Sequence, residues 1–377
     1  MPRQTRVVKT LPQILREEIG ANGVLPFARF MNLALYCPEL GYYEQHEDTV
    51  GQRGDFITSV STGRLFGELL AFQFAGWLEQ IRLRSPPVSK VKLVEAGAHN
   101  GRLAHDILSW LSSQRPELFS KIEYIILEPS ARRQAWQQET LKQFAANVRW
   151  AADVRELSPF KDKPSVAGII FSNELLDAFP IHRHGWDVRS KSWFEWGVAA
   201  KDDRFVWVKI PRPANELPRS IQDLPASLLN VLPDNFTVEN SPAAEGWWRG
   251  AAEALSRGWL MAIDYGFGAD EQISPARSNG TLRAYFRHSV SDDVLANPGG
   301  QDLTAHVNFP AIQRAGEAAG LRTESLQTQP QFLTGILQKA VRENAFGPWD
   351  ASRTRQFQTL THPEHLGRAF RVLIQSR

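Results

Sequence analysis

Cysteine is almost absent: Cys37 is the single thiol among 377 residues. No internal disulfide framework can form, a pattern that fits a reducing compartment and a small core-filling role for that residue. An excess of one charge is missing too. Lys and Arg number 43 against 41 Asp and Glu, a formal net charge of +2, and the two signs are interspersed. Without a basic stripe for a phosphate backbone, nucleic acid is not an expected partner. No apolar run reaches the ~18 residues that a membrane span requires, so a soluble chain with no membrane span is expected. Internal repeats and low-complexity tracts are absent as well.

What remains is an enzyme-sized globular sequence. Hydrophobic residues at 42% and charged residues at 22% match folded soluble proteins rather than disordered ones. The length exceeds what one compact core uses, so a main α/β domain with insertions or a second lobe is expected. The first sixteen residues carry three arginines, one lysine and no acid, the balance of an organelle transit peptide. Leu11, Ile14, Leu15 and Ile19, however, have the spacing of a folded helix. A cytoplasmic location is expected, or the mitochondrial matrix if the source is eukaryotic.

From Leu11 to about Trp77 the pattern is mostly helical, broken by the turn-rich stretch CPELGYYEQHEDTVGQRGDFITS. Ser-Pro-Pro at 85–87 marks a boundary, because paired prolines end helices. Strand and helix patterns then alternate: VKLVEA, a helix over 101–113, IEYIILE, a helix over 131–144, NVRWA, and VAGIIFS followed by ELLDAF. Continuous apolar strands joined by helices predict a parallel, doubly wound sheet. Residues 183–210 read as an antiparallel meander, and the Pro-rich 211–233 as a loop. RGWLMAIDYG resumes the sheet as a fifth strand. A helix near 309–319, a strand at 322–328, more helix and a last strand AFRVLIQ follow. The resulting division is an N-terminal helical region over 1–85, a core formed by 86–182 and 250–377, and an insertion over 183–249. Trp193 and Trp196, three apart on a strand, face opposite sides and so suit ordinary packing better than one stacking platform.

The first strand-to-helix joint, VEAGAHNG, carries the chemistry. Ligands of open α/β sheets bind beyond the carboxyl ends of the strands, and Gly97 and Gly101 let one approach the backbone there. A dinucleotide site calls for G-x-G-x-x-G around a pyrophosphate, whereas this chain offers G-A-H-N-G, which counts against a nicotinamide dehydrogenase. Glu95, two residues before the first glycine, suits a positively charged ligand instead. S-adenosylmethionine has an ammonium, a sulfonium and no phosphate, and Glu128, ending the second strand, stands where an acid would hold its ribose diol. Asp153, after the third strand, is a candidate partner for the adenine amine. A helix cap or a solvated loop charge is the bland alternative for each acid.

The fourth strand ends in FSNELLDAFP. In a doubly wound methyltransferase Asn173, Glu174 and Asp177 lie closest to the chemistry there, with Glu174 and Asp177 on one face of a short helix. Paired carboxylates suit a guanidinium, which they can hold bidentately while one nitrogen is aimed at the sulfonium methyl. No cluster with metal-ligand spacing is apparent.

GYY at 41–43, GDFITS at 54–59, LFGELL at 65–70, VEAG…NG at 94–101, LEPS at 127–130, SNELLDAFPIH at 172–182, IDYGF at 263–267, GTLRAYFRH at 280–288, DLTAHVNF at 302–309 and HLGRAFRVL at 365–373 resemble, in order, the MidA-like family. These are class I methyltransferases related to the mitochondrial complex I assembly factor. The resemblance implies a seven-stranded sheet with an added helical and antiparallel β lobe, S-adenosylmethionine as donor and, in the mitochondrial branch, protein arginine dimethylation on a complex I subunit. It also implies that Asp55 lies on a loop over the site and His306 near the acceptor pocket. The chain departs from the family at His99, where a glycine is usual, at Val60 and Ser61, where Pro-Glu is usual, and at Asn308, where an aspartate is usual. The expected function is therefore S-adenosylmethionine-dependent methyl transfer to a protein arginine side chain. A small-molecule N- or O-methyltransferase and an inactive assembly protein of the same fold are the alternatives, and a homodimer is left open.

Overall fold

Apolar runs too continuous for a half-exposed strand become the buried centre of one sheet. The structure, a computed structural model, describes residues 9–45, 58–83, 90–157, 164–286, 289–291, 293–363, 366–367 and 369–377. Two compact units divide the chain, one formed by Glu47–Asp177, Ala244–Ala269 and His306–Arg377, the other by Met1–His46, Ala178–Ala243 and Asp270–Ala305.

In the first unit the elements run α1 (Leu65–Leu83), β1 (Val91–Ala96), α2 (Arg102–Gln114), β2 (Ile122–Leu127), α3 (Ala131–Thr140), β3 (Val148–Ala151), β4 (Val166–Asn173), α4 (Pro242–Ala254, entered from the other unit), β5 (Leu255–Phe267), α5 (Phe309–Ala318), β6 (Arg322–Thr328), α6 (Gln329–Arg342), α7 (Ala351–Thr361) and β7 (Phe370–Ser376). The strand order is β6-β7-β5-β4-β1-β2-β3. β1 to β5 are mutually parallel, while β7 runs antiparallel between β5 and β6. The doubly wound, seven-stranded expectation holds, and a two-residue strand, Val307–Asn308, adds a parallel pair at the end of β5.

Alternation along each strand supplies both helix layers. Leu93, Tyr124, Ile169, Phe171 and Met261 join the cluster formed with α1, α2, α6 and α7. Val94, Ile125, Ile170, Leu260 and Leu373 have the opposite parity and are equally buried outside it. On β7, Gln375 shares that opposite parity and accepts a 2.8 Å hydrogen bond from Trp248 of α4. Period-2 alternation in a sheet covered on both faces requires this arrangement.

The compact units draw limits that differ from the sequence reading. α1, assigned to the N-terminal region 1–85, buries Leu69, Phe74 and Leu78 in the cluster that β1 anchors, so it belongs with the sheet. Most of α4 goes to the sheet unit rather than to the 183–249 insertion, and 270–305 leaves the core for the other unit. The 85–87 boundary lies outside the described residues.

In the second unit the meander is His182–Asp187, Ser192–Lys201 and Arg204–Pro211. Its turns fall at Lys191 and Asp202, both at positive φ. Thr237–Asn240 and Leu25–Pro26 complete a five-stranded sheet. The Pro-rich 211–233 is not plain loop. It forms three short helical turns, Ala214–Glu216, Arg219–Gln222 and Ala226–Leu229, each with a proline at its N-cap, where the missing N–H costs nothing. Leu217, Ile221 and Leu232 thereby reach Trp186, Trp193 and Phe236. Trp193 packs on Trp186 and Trp196 on Phe194 and Trp207, separate surroundings as the strand parity implies. Cys37 is buried and unbridged.

Candidate functional site: a donor turn and an acidic strand end

The joint after β1 is a left-handed turn. Gly97, His99 and Gly101 have φ of 76°, 48° and 83°, and the Gly101 amide closes the turn on the Ala98 carbonyl at 2.7 Å. A β-carbon on Gly97 would lie 2.9 Å from the Leu175 side chain, so the glycine serves close packing as well as conformation. His99 adopts a left-handed backbone that glycine takes without strain, at a cost of about 1–2 kcal/mol.

Glu95 does not project into this turn. Its carboxyl is buried on the sheet face and accepts a 2.5 Å hydrogen bond from Tyr124 of β2. Burial pushes it up to about 7, partly opposed by that bond. Glu128, just past β2, is buried and anchored. Its Oε1 takes the Ser130 amide at 2.9 Å and the Arg133 guanidinium at 2.9 and 2.8 Å, and its Oε2 takes the Gln137 amide at 3.2 Å. Asp153 is turned to its own loop, where Arg155 holds it through the backbone amide and both arms of the guanidinium at 2.7–2.9 Å. No described contact joins Asp153 to Glu128 or to the turn.

At the end of β4 the acids gather, though not on a helix. Glu174 leaves the strand at φ 51°, a conformation that costs a non-glycine residue about 1–3 kcal/mol and collects at functional sites. Leu176–Ala178 is only a 3-10 turn, so the expected shared helix face for Glu174 and Asp177 is corrected. The physical reason is Pro180, which keeps Phe179 out of helical geometry; the turn is held instead by Asp264 of β5, which sequence reasoning missed. Fully buried, it accepts the Leu175 and Leu176 amides at 3.0 and 2.7 Å on Oδ2 and its neighbour's amide at 2.8 Å on Oδ1. The signal available was an acid in the otherwise apolar MAIDYGF.

Glu174 Oε1 accepts the Asn173 side-chain amide at 3.0 Å and the Ser59 backbone amide at 3.2 Å. Among the described residues no donor faces its Oε2. Burial first, and the nearby Asp177 charge second, push Glu174 up to about 8. Burial and the Glu174 charge also raise Asp264, against the lowering effect of its backbone donors. Ser59, the last residue of GDFITS, is buried and bonds Gln329 through its hydroxyl, so the end of that motif does reach the acidic strand end. Asp55 lies outside the described residues. His306 precedes Val307–Asn308, the short strand paired with the end of β5.

Ser61 and Asn308 have structural uses. Ser61 and Thr58 exchange hydrogen bonds that close the Val60–Thr62 turn. Asn308 is the N-cap of α5, its side chain accepting the Ala311 amide at 3.2 Å. Asn and Asp cap helices equally well. Asn308→Asp is therefore expected to leave the melting temperature nearly unchanged, whereas Asn308→Ala lowers stability by about 1 kcal/mol; thermal unfolding of the two variants checks this.

Three raised carboxyls have a further consequence. Glu95, Glu174 and Asp264 keep protons in the folded state that the unfolded chain releases near pH 4. The unfolded state thus binds fewer protons between the two, and stability falls as pH rises from about 4 through about 8, then levels off. Urea unfolding at pH 6 and 8.5 is expected to show the lower midpoint at 8.5.

These residues fit S-adenosylmethionine. The left-handed glycine turn brings bare backbone to the end of β1. Glu128 retains acceptor capacity on Oε2 for a hydroxyl, and Asn173 Oδ1 is buried without a partner among the described residues. No group of metal-ligating side chains occurs among the described residues, and none of their helices is long and apolar enough to cross a membrane. A sheet of this order, with a glycine turn after β1, an acid after β2 and acids after β4, defines a class I methyltransferase.

The chain belongs to the MidA-like family of S-adenosylmethionine-dependent methyltransferases, whose family model matches residues 69–327. A COG1565 superfamily member from Burkholderia thailandensis, crystallised with S-adenosyl-homocysteine bound, is 30% identical, with a TM-score of 0.80 over 97% of this chain and 92% of the other. The mitochondrial protein arginine methyltransferase NDUFAF7 homolog of Drosophila melanogaster is 26% identical over 97% of this chain and 84% of its own length. The Rattus norvegicus NDUFAF7 is 25% identical over 98% and 85%. The protein is an S-adenosylmethionine-dependent methyltransferase.

Proposed function

We propose that this methyltransferase acts on an arginine side chain of a partner protein. The observation that carries the reading is the strand end at Glu174, three residues before Asp177, where Glu174 Oε2 has no donor among the described residues. When bound, S-adenosylmethionine supplies a sulfonium methyl as electrophile. Glu174 Oε2, with Asp177 beside it, holds the guanidinium fork and fixes which nitrogen is presented. A guanidinium has pKa above 12 and almost no free lone pair, so the nitrogen that gains a methyl must shed a proton. Glu174, pushed up to about 8, is suited to take it at Oε2. Gly97 and Gly101 admit the donor, Glu128 holds its ribose, and Asn173 and His306 line the approach of the acceptor. The names of the Drosophila and rat relatives, protein arginine methyltransferases, support the same substrate class.

The test is incubation of the purified protein with methyl-labelled S-adenosylmethionine and lysate of its source, followed by mass spectrometry. Label on methylated arginine of one or a few proteins is the expected result. Label confined to small molecules, or to lysine, would refute the arginine assignment.

A further inference from the structure

Gln137 of α3 is a polar side chain with no exposed surface, and all of its hydrogen-bonding groups are used. Its carbonyl oxygen accepts the Trp150 indole N–H at 2.8 Å. Its amide nitrogen donates to the His99 carbonyl at 2.9 Å and to Glu128 Oε2 at 3.2 Å. Indole can only donate, so Trp150 dictates which way the amide faces, and the NH2 group must point toward His99 and Glu128. One side chain thus ties the middle of the left-handed donor turn to the acid after β2. Its Cα would also sit 3.4 Å from a β-carbon on Gly101, which places α3 directly against the turn.

The division of labour on Glu128 sharpens this. Oε1 already receives the Ser130 amide and the Arg133 guanidinium. Oε2 receives only Gln137 among the described residues, and a carboxylate oxygen has two lone pairs. We propose that Gln137 is a positioning residue for the methyl donor: by spending one lone pair of Glu128 Oε2 and pinning the His99 carbonyl, it aims the remaining lone pair at a ribose hydroxyl and holds the turn at matching height. The inference rests on the assignment of Glu128 to the donor pocket.

Calorimetry with S-adenosyl-homocysteine tests it in a double-mutant cycle of the full chain: parent, Glu128→Ala, Gln137→Met and the double variant, each checked by thermal melting. Methionine keeps the bulk of glutamine and removes its hydrogen bonds. Gln137→Met is expected to weaken binding about 5- to 10-fold and Glu128→Ala about 10-fold or more. The double variant should fall short of the product of the two losses by at least about 3-fold, since both act through one carboxylate. In turnover, the donor KM should rise with kcat and the acceptor KM little changed, a split that general destabilisation would not produce. Trp150→Phe, which frees the amide to flip, should weaken the donor in the same sense and serves if Gln137→Met does not fold. Parent-like affinity in Glu128→Ala would remove Glu128 from the donor pocket. A weakened Glu128→Ala beside an unaffected Gln137→Met, or losses that multiply in full, would overturn the role of Gln137 alone.

Discussion

Glu174→Gln is expected to reduce methyl transfer by about 10²- to 10³-fold, the size of effect seen when one aligned electrostatic group is lost from an enclosed site, while affinity for S-adenosyl-homocysteine stays within about 2-fold. Glutamine preserves the shape and can still face the Ser59 amide, but it carries no charge for a guanidinium and accepts no proton. The pH profile follows from the same residue. In the free protein Glu174 keeps its proton up to about 8, so kcat/KM for a cationic acceptor should rise with pH through that region. The variant's profile should lose this rise. Steady-state turnover of both proteins between pH 6 and 9 checks the pair of expectations, and a variant as fast as the parent would dismiss Glu174 from the chemistry.

Asp264→Ala is expected to be the most damaging single substitution for folding. It strands the buried amide of Leu176 and the partly buried amides of Leu175 and Tyr265, a buried amide costing about 1–3 kcal/mol when left without an acceptor. The energy of hiding a carboxyl there offsets part of that loss, as its raised protonation shows, so a net destabilisation of about 3 kcal/mol is expected. Asp264→Asn keeps an acceptor oxygen and should lose about 1 kcal/mol. Because the same bonds fix the turn that carries Glu174 and Asp177, both variants should lose turnover beyond their loss of folded protein. Urea unfolding alongside turnover at a permissive temperature measures both, and a loss under about 1 kcal/mol for the alanine would show that the turn holds without Asp264.

The strands were legible because they are buried on both faces. VKLVEA, IEYIIL and AGIIF admit no polar side, and only a covered parallel sheet accommodates three such runs joined by helices. β6, at Arg322–Thr328, stands as a strand between two helical patterns. ELLDAF is helical by local propensity, but Pro180 leaves room for only a short turn, and the group that holds that turn, Asp264, lies 88 residues away from Leu176. The Pro-rich 211–233 was read as loop because proline there marks where short helices begin, a meaning that depends on the apolar cluster waiting under Leu217 and Ile221.

The site was legible in position more than in contacts. The turn, the acid after β2 and the acids after β4 stand where strand ends put them. Their partners do not follow from the sequence. Glu95 faces Tyr124, two residues short of its own register partner Ile126. Asp153 is claimed by Arg155 because a short loop lets both backbone and guanidinium reach it. Gln137 escaped notice because an amide within a polar-looking helix gives no hint that it is wholly enclosed.

The most direct test of the donor site is a crystal structure of the protein with S-adenosyl-homocysteine. The expected density lies over the Gly97–Gly101 turn, with a ribose hydroxyl within hydrogen-bond distance of Glu128 Oε2 and the sulfur directed toward Glu174. A ligand bound elsewhere, or one at the turn that leaves Glu128 untouched and turns its sulfur away from Glu174, would contradict it.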